Sequence, residues 1–118
     1  MRKLEIGTEK YTQVYACDEK SLTSNANHHY SVSTTQQPST ILGEVKFQDG
    51  AIKEFGVNGV MNEDLIAMVI DRLYGFQESK FKCRENAIAI TKLEEALLWL
   101  RKRTMDRERR QVEGTHAV

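Results

Sequence analysis

The chain has 118 residues, 40% of them hydrophobic, and its 17 basic and 17 acidic side chains cancel to a formal charge of zero. That length suits one compact domain or two small lobes sharing a core, and the charge balance argues against bulk electrostatic binding to DNA or RNA while leaving room for a local basic pocket. No apolar run reaches the ~18 residues of a membrane span, and "MRKLEIGTEK" lacks the apolar core of a signal peptide, so a soluble cytoplasmic protein is expected.

In chain order, "YTQVYAC" (Tyr11 to Cys17) and "YSVSTT" (Tyr30 to Thr35) carry the aromatic and β-branched residues of strands. The polar segment between them, "DEKSLTSNANHH", reads as a loop, as does "TTQQPST" around Pro38. Gly43 to Val57, "GEVKFQDGAIKEFGV", reads as a β-hairpin because Asp49-Gly50 suits a tight primed turn. Val45 and Phe47 alternate with Glu44 and Lys46, but the alternation slips after the turn, where a bulge near Lys53 would restore it.

Asn58-Gly59 marks a turn, and "NEDLIAMVIDRLYGFQ" (Asn62 to Gln77) then has helical spacing. Asn62 is placed to cap it, Glu63 and Asp64 suit its first turn, and Gly75 is placed to end it. Phe81 to Arg110 contains no Gly or Pro and is rich in Ala, Leu, Glu, Lys and Arg, which predicts one helix of roughly 25 to 30 residues. The short link makes the two helices an antiparallel αα-hairpin. The fold class is therefore α+β: a small N-terminal antiparallel β-sheet over 1–60, then a helical hairpin and tail over 61–118, as a single compact unit.

On the long helix, Asn86, Ile90, Leu93, Leu97 and Leu100 share one line. Asn86 is its polar exception, either fixing register as a buried or edge residue or touching a ligand near the bend. A second line holds Ala89, Ala96, Trp99, Arg103, Arg107 and Arg110. Four residues separate Trp99 from Arg103, a spacing that lets the guanidinium stack on the indole. The three arginines form either a fork array for phosphate oxygens or a solvated helix end in which Asp106 and Glu108 pair with them. Two apolar lines exceed what one short helix covers, which predicts self-association.

Other chemistry is absent from the pattern. There is no Gly-rich phosphate loop, no Ser-His-Asp arrangement and no G-x-S-x-G. Cys17 and Cys83 have neither zinc nor redox spacing and read as free thiols. His28 and His29 with Cys17 make a poor metal set, since adjacent residues on an extended segment point apart. A binding protein is expected over an enzyme, with no cofactor.

From Leu65 onward the chain carries "DRLYGFQ", "CRENA", "ITKLEEAL.WL", "RT...R" and "VEGTH", preceded by "GVNGVMNEDL". These motifs, in this order, resemble the phage Thoeris anti-defense protein 1 family, whose helical hairpin is related to that of anti-CBASS protein 2. The resemblance implies a sponge that holds the 1''–3' glycocyclic ADP-ribose made by Thoeris TIR enzymes without cleaving it, in the cytoplasm of the infected bacterial host. It implies a homo-oligomer, a dimer extending to a hexamer built as a trimer of dimers, with cyclic di- or trinucleotides as ligands of separate sites. Phe76 would stack on adenine, Asn86 would bond base or ribose, Arg103 would stack and contact phosphate, and Arg107 would pair with the pyrophosphate. Arg110, Glu113 and Thr115 are further contributors, and Arg84 is the candidate for a separate phosphate site. The alternative is a nucleic-acid-binding or structural phage protein.

Helix geometry bears on that pocket. Asn86 and Arg103 are seventeen residues apart, about 25 Å along one helix, and differ in direction by about 100°. If both touch one ligand, the second group belongs to another chain, and a two-fold dimer makes two equal sites.

Overall fold

The structure, a computed structural model, describes residues 1–109. It is α+β and divides into two compact units. The first comprises Met1–Asp49 with Val57–Val60, and the second comprises Gly50–Gly56 with the described chain from Met61 onward.

The first unit is a four-stranded antiparallel sheet in the order β1 (Arg2–Lys3), β2 (Thr12–Ala16), β3 (His29–Thr34), β4 (Ile41–Lys46). Register sorts its faces. Val14 lies opposite Val32, Ala16 opposite Tyr30, and Tyr30 opposite Val45, so these side chains share one apolar face. Phe47 closes that face, its ring edge-on to Tyr30 at 5.7 Å. The other face is polar: Cys17 Sγ lies 3.3 Å from the Ser31 hydroxyl, and Gln13 Nε2 donates to Ser33. Between Val32 and Ser33 the register of β4 shifts, so Leu42 is the extra residue of a bulge.

The long loop from β2 to β3 is tied by one carboxylate. Asp18 accepts the backbone N–H of His28 at 2.9 Å and of His29 at 3.2 Å, together with the Asn27 amide at 3.1 Å. Those donors hold its carboxyl down at about 2, with the His28 N–H the largest cause. Arg2 reaches over from β1 to donate to Asn27 Oδ1 at 2.7 Å.

The hairpin expected at Asp49-Gly50 does not form. Gly50 does take a positive φ of 86°, and a Cβ there would run into the Phe55 ring. Beyond it the chain makes a single helical turn, α1 (Ile52–Phe55), with the Phe55 N–H bonded to the Ala51 carbonyl at 2.8 Å. Ile52 and Phe55 are three apart, one helical turn, which is why the strand alternation slips at this point. The neighbour of the Lys46–Gln48 backbone is instead Val60, bridged to Phe47 in parallel, and Gly59 is needed because a side chain there would collide with the Phe47 backbone.

In the second unit, α2 spans Asn62–Gln77 and α3 spans Arg84–Arg109. Met61, rather than Asn62, is the capping position of α2, and its N–H donates to Asp64 Oδ2 at 2.8 Å. Gly75 does not end the helix, because its φ stays negative and the helix runs two residues further. The Tyr74 hydroxyl donates to Glu94 Oε2 at 2.8 Å across the two helices. Ile90 is buried, whereas Leu93, Leu97 and Leu100 are half-buried. Leu98 and Trp99 stand 66% and 64% exposed, and no large side chain among the described residues is completely buried. No helix among them is long and apolar enough to cross a membrane.

Candidate functional site

The hairpin bend is built by short-range bonds that its sequence supplies. Gln77 clamps it: Oε1 accepts the Cys83 N–H and Nε2 donates to the Cys83 carbonyl, both at 3.0 Å. Ser79 donates from its hydroxyl to the Phe76 carbonyl at 2.7 Å and accepts the Phe81 N–H at 3.0 Å. The last turn of α2 is thereby satisfied without a left-handed glycine. Arg84 opens α3, and Asn86 lies in the first turn.

Phe76 is half-buried at the end of α2, and the Arg72 guanidinium sits over its ring, 5.1 Å from the centroid. Asn86 is half-buried, and among the described residues its side chain makes no hydrogen bond. A half-buried amide without a protein partner is a poor register lock within one chain and a good group for a ligand. Phe76 and Asn86 therefore share the bend end of the hairpin.

Arg103 and Arg107 lie at the opposite end of α3. The helix is continuous from Arg84 to Arg109, so the seventeen-residue separation of Asn86 and Arg103 does amount to about 25 Å. One chain does not bring the two groups together. Arg103 is exposed and has no ion pair among the described residues, whereas Arg107 is half-buried and has polar or electrostatic partners of its own. Arg110, Glu113 and Thr115 lie outside the described residues.

Asp106 decides the charge pattern there. It accepts Lys102 Nζ at 3.0 Å and also pairs with Arg109. The Lys102 hydrogen bond, the largest cause, holds the Asp106 carboxyl below its usual range. The expected stacking of Arg103 on Trp99 is not made; the cation–π pairs among the described residues are Lys10–Tyr11, Arg72–Phe76 and Lys80–Phe81.

Sequence reasoning missed Arg72. Its signal was present, since it precedes Phe76 by four residues, one helical neighbour spacing. The histidines have separate partners: His28 Nε2 lies 3.4 Å from Asp49 Oδ1, and His29 Nε2 lies 3.5 Å from Glu44 Oε1, outside hydrogen-bond geometry. Cys17 and Cys83 are free thiols.

Comparison with known proteins bears on what this arrangement serves. A family model described as "Acb2/Tad1, hairpin domain" matches residues 40–105, from β4 through nearly all of α3. A relative from Bacillus phage SBSphiJ7, named "Thoeris anti-defense 1", is 48% identical over 140 aligned positions, covering 98% of this chain and 99% of the relative.

Proposed function

The chain belongs to the Acb2/Tad1 hairpin family, and from that membership we propose that it is a phage anti-defense protein acting as a sponge for a nucleotide immune signal. The observation that carries this reading is the 48% identity, over nearly the full length of both chains, to a protein named "Thoeris anti-defense 1". The ligand we assign is 1''–3' glycocyclic ADP-ribose, bound in the host cytoplasm and held without cleavage, so that the downstream effector is starved of its activator. Cyclic di- or trinucleotides are assigned to separate sites, with Arg84 as the phosphate contact.

The pocket we propose is shared between chains. Phe76 stacks on the adenine and Asn86 bonds base or ribose from one protomer. Arg103 and Arg107 take the pyrophosphate from its neighbour, with Arg110, Glu113 and Thr115 adjoining. Two features support this division of labour. Asn86 and the two arginines sit at opposite ends of one continuous helix, with Phe76 at the bend beside Asn86, and the exposed Leu98 and Trp99 leave apolar surface for a second copy to cover. A two-fold dimer then carries two equal sites, and three dimers make the hexamer.

The test is incubation with 1''–3' glycocyclic ADP-ribose, followed by heat denaturation and assay of the released nucleotide. A sponge depletes free ligand and returns it intact. An enzyme loses it with time, and a nucleic-acid-binding or structural phage protein never depletes it.

A further inference from the structure

The Arg72 side chain has an unusual set of neighbours. On its own helix the residues three and four positions away are Met68, Val69, Gly75 and Phe76, so no carboxylate is within intrahelical reach. Among the described residues it makes no ion pair, and the contact it does make is with the ring of Phe76. A long exposed cation with no acidic neighbour would ordinarily extend into water. This one lies over an aromatic face, its guanidinium carbon 5.1 Å from the ring centre.

The spacing has a consequence for stacking. A planar base inserted between the guanidinium and the ring would need about 7 Å, two contact layers of about 3.5 Å each. The 5.1 Å separation leaves no such gap. We propose that Arg72 is a positioning residue: by covering one face of Phe76 it fixes the ring and directs a ligand's nucleobase to the opposite face. This rests on the reading of Phe76 as the stacking residue. The ligand class is a purine nucleotide, and Arg72 itself touches the ring rather than the phosphates.

The experiment is a double-mutant cycle on the full chain: Arg72→Ala, Phe76→Leu and the double variant, titrated calorimetrically with 1''–3' glycocyclic ADP-ribose. The Nε–H proton resonance of Arg72 is recorded without ligand as a separate readout. Arg72→Ala should weaken binding about two- to fivefold, the range of an exposed cation–π contact. In the Phe76→Leu background the same change should cost nothing. The Arg72 Nε–H resonance should lie upfield in the wild type through the ring current and return downfield in Phe76→Leu. An equal loss in both backgrounds means that Arg72 contacts the ligand directly and overturns the proposal, as does a resonance indifferent to Phe76. Absence of wild-type binding with the ring-current shift present overturns the sponge reading, and with it the role in directing the base, while leaving the stack itself in place.

Discussion

Lys102 Nζ lies 3.0 Å from Asp106 Oδ2, and the same carboxylate also receives Arg109. This pairing separates the cations at the end of α3 into two groups. Lys102 and Arg109 are spent on a local acid, one helical turn away, on a solvent-facing side. Arg103 has no ion pair among the described residues. An interleaved run of arginines and acids is therefore not a uniformly neutralised surface.

The cations should accordingly differ in their effect on ligand binding. In the proposed pocket Arg103→Ala would remove a charge-assisted bond to phosphate, worth about 1.5–3 kcal/mol, and should weaken binding of 1''–3' glycocyclic ADP-ribose roughly 10- to 100-fold. Lys102→Ala should stay within about twofold, because its partner is Asp106. Calorimetric titration of both variants checks this, and equal losses would remove the distinction.

The Asp18 carboxyl makes the sheet unit acid-sensitive. Its folded value of about 2 lies below the ordinary 3.8, so the fold favours the carboxylate. The stability it contributes is fully present above about pH 4 and is lost as pH falls toward 2. Asp18→Asn should lower the melting temperature at neutral pH and reduce the acid-induced drop between about pH 4 and 2. Melting curves of both proteins across that range decide it; an acid drop as large in Asp18→Asn as in the wild type would assign the step to other carboxylates.

Gly75 sits inside α2 with helical φ, and a Cβ there would meet nothing within 4 Å. Gly75→Ala should then stabilise the chain by about 1 kcal/mol, the helix-interior difference between the two residues. Chemical denaturation at fixed protein concentration measures it. Destabilisation would mean that a second copy of the chain packs into the space beside Gly75.

Much of this fold was legible because its signals are local. The alternation in β2 and β3 placed both strands to within a residue at each end, and the spacing from Asn62 to Gln77 matched α2 at both ends. The Asp49-Gly50 signal was true at the level of φ and misleading at the level of topology. Glycine turned the chain, but Ile52 and Phe55 had helical spacing, so a strand could not continue from it. β1 is two residues long and carries no period to read. The hold of Asp18 on the loop depends on a carboxylate meeting N–H groups ten and eleven residues away, which no periodicity encodes. At the site, the separation of Asn86 and Arg103 came from counting residues, and pairing of Asp106 with neighbouring cations was one of two readings of the helix end, whereas the cover over Phe76 required side-chain positions.

In the proposed pocket each site is completed by a neighbouring chain, which can be tested by mixing two defective chains. One carries Phe76→Ala and Asn86→Ala, the other Arg103→Ala and Arg107→Ala. Each homodimer has two broken sites. A heterodimer rebuilds one whole site from the intact halves, so after subunit exchange at equal concentrations about a quarter of all sites should bind 1''–3' glycocyclic ADP-ribose with wild-type affinity. Recovery of that fraction in a calorimetric titration is the predicted result. No recovery from a mixture shown by mass spectrometry to contain heterodimers would contradict the shared pocket.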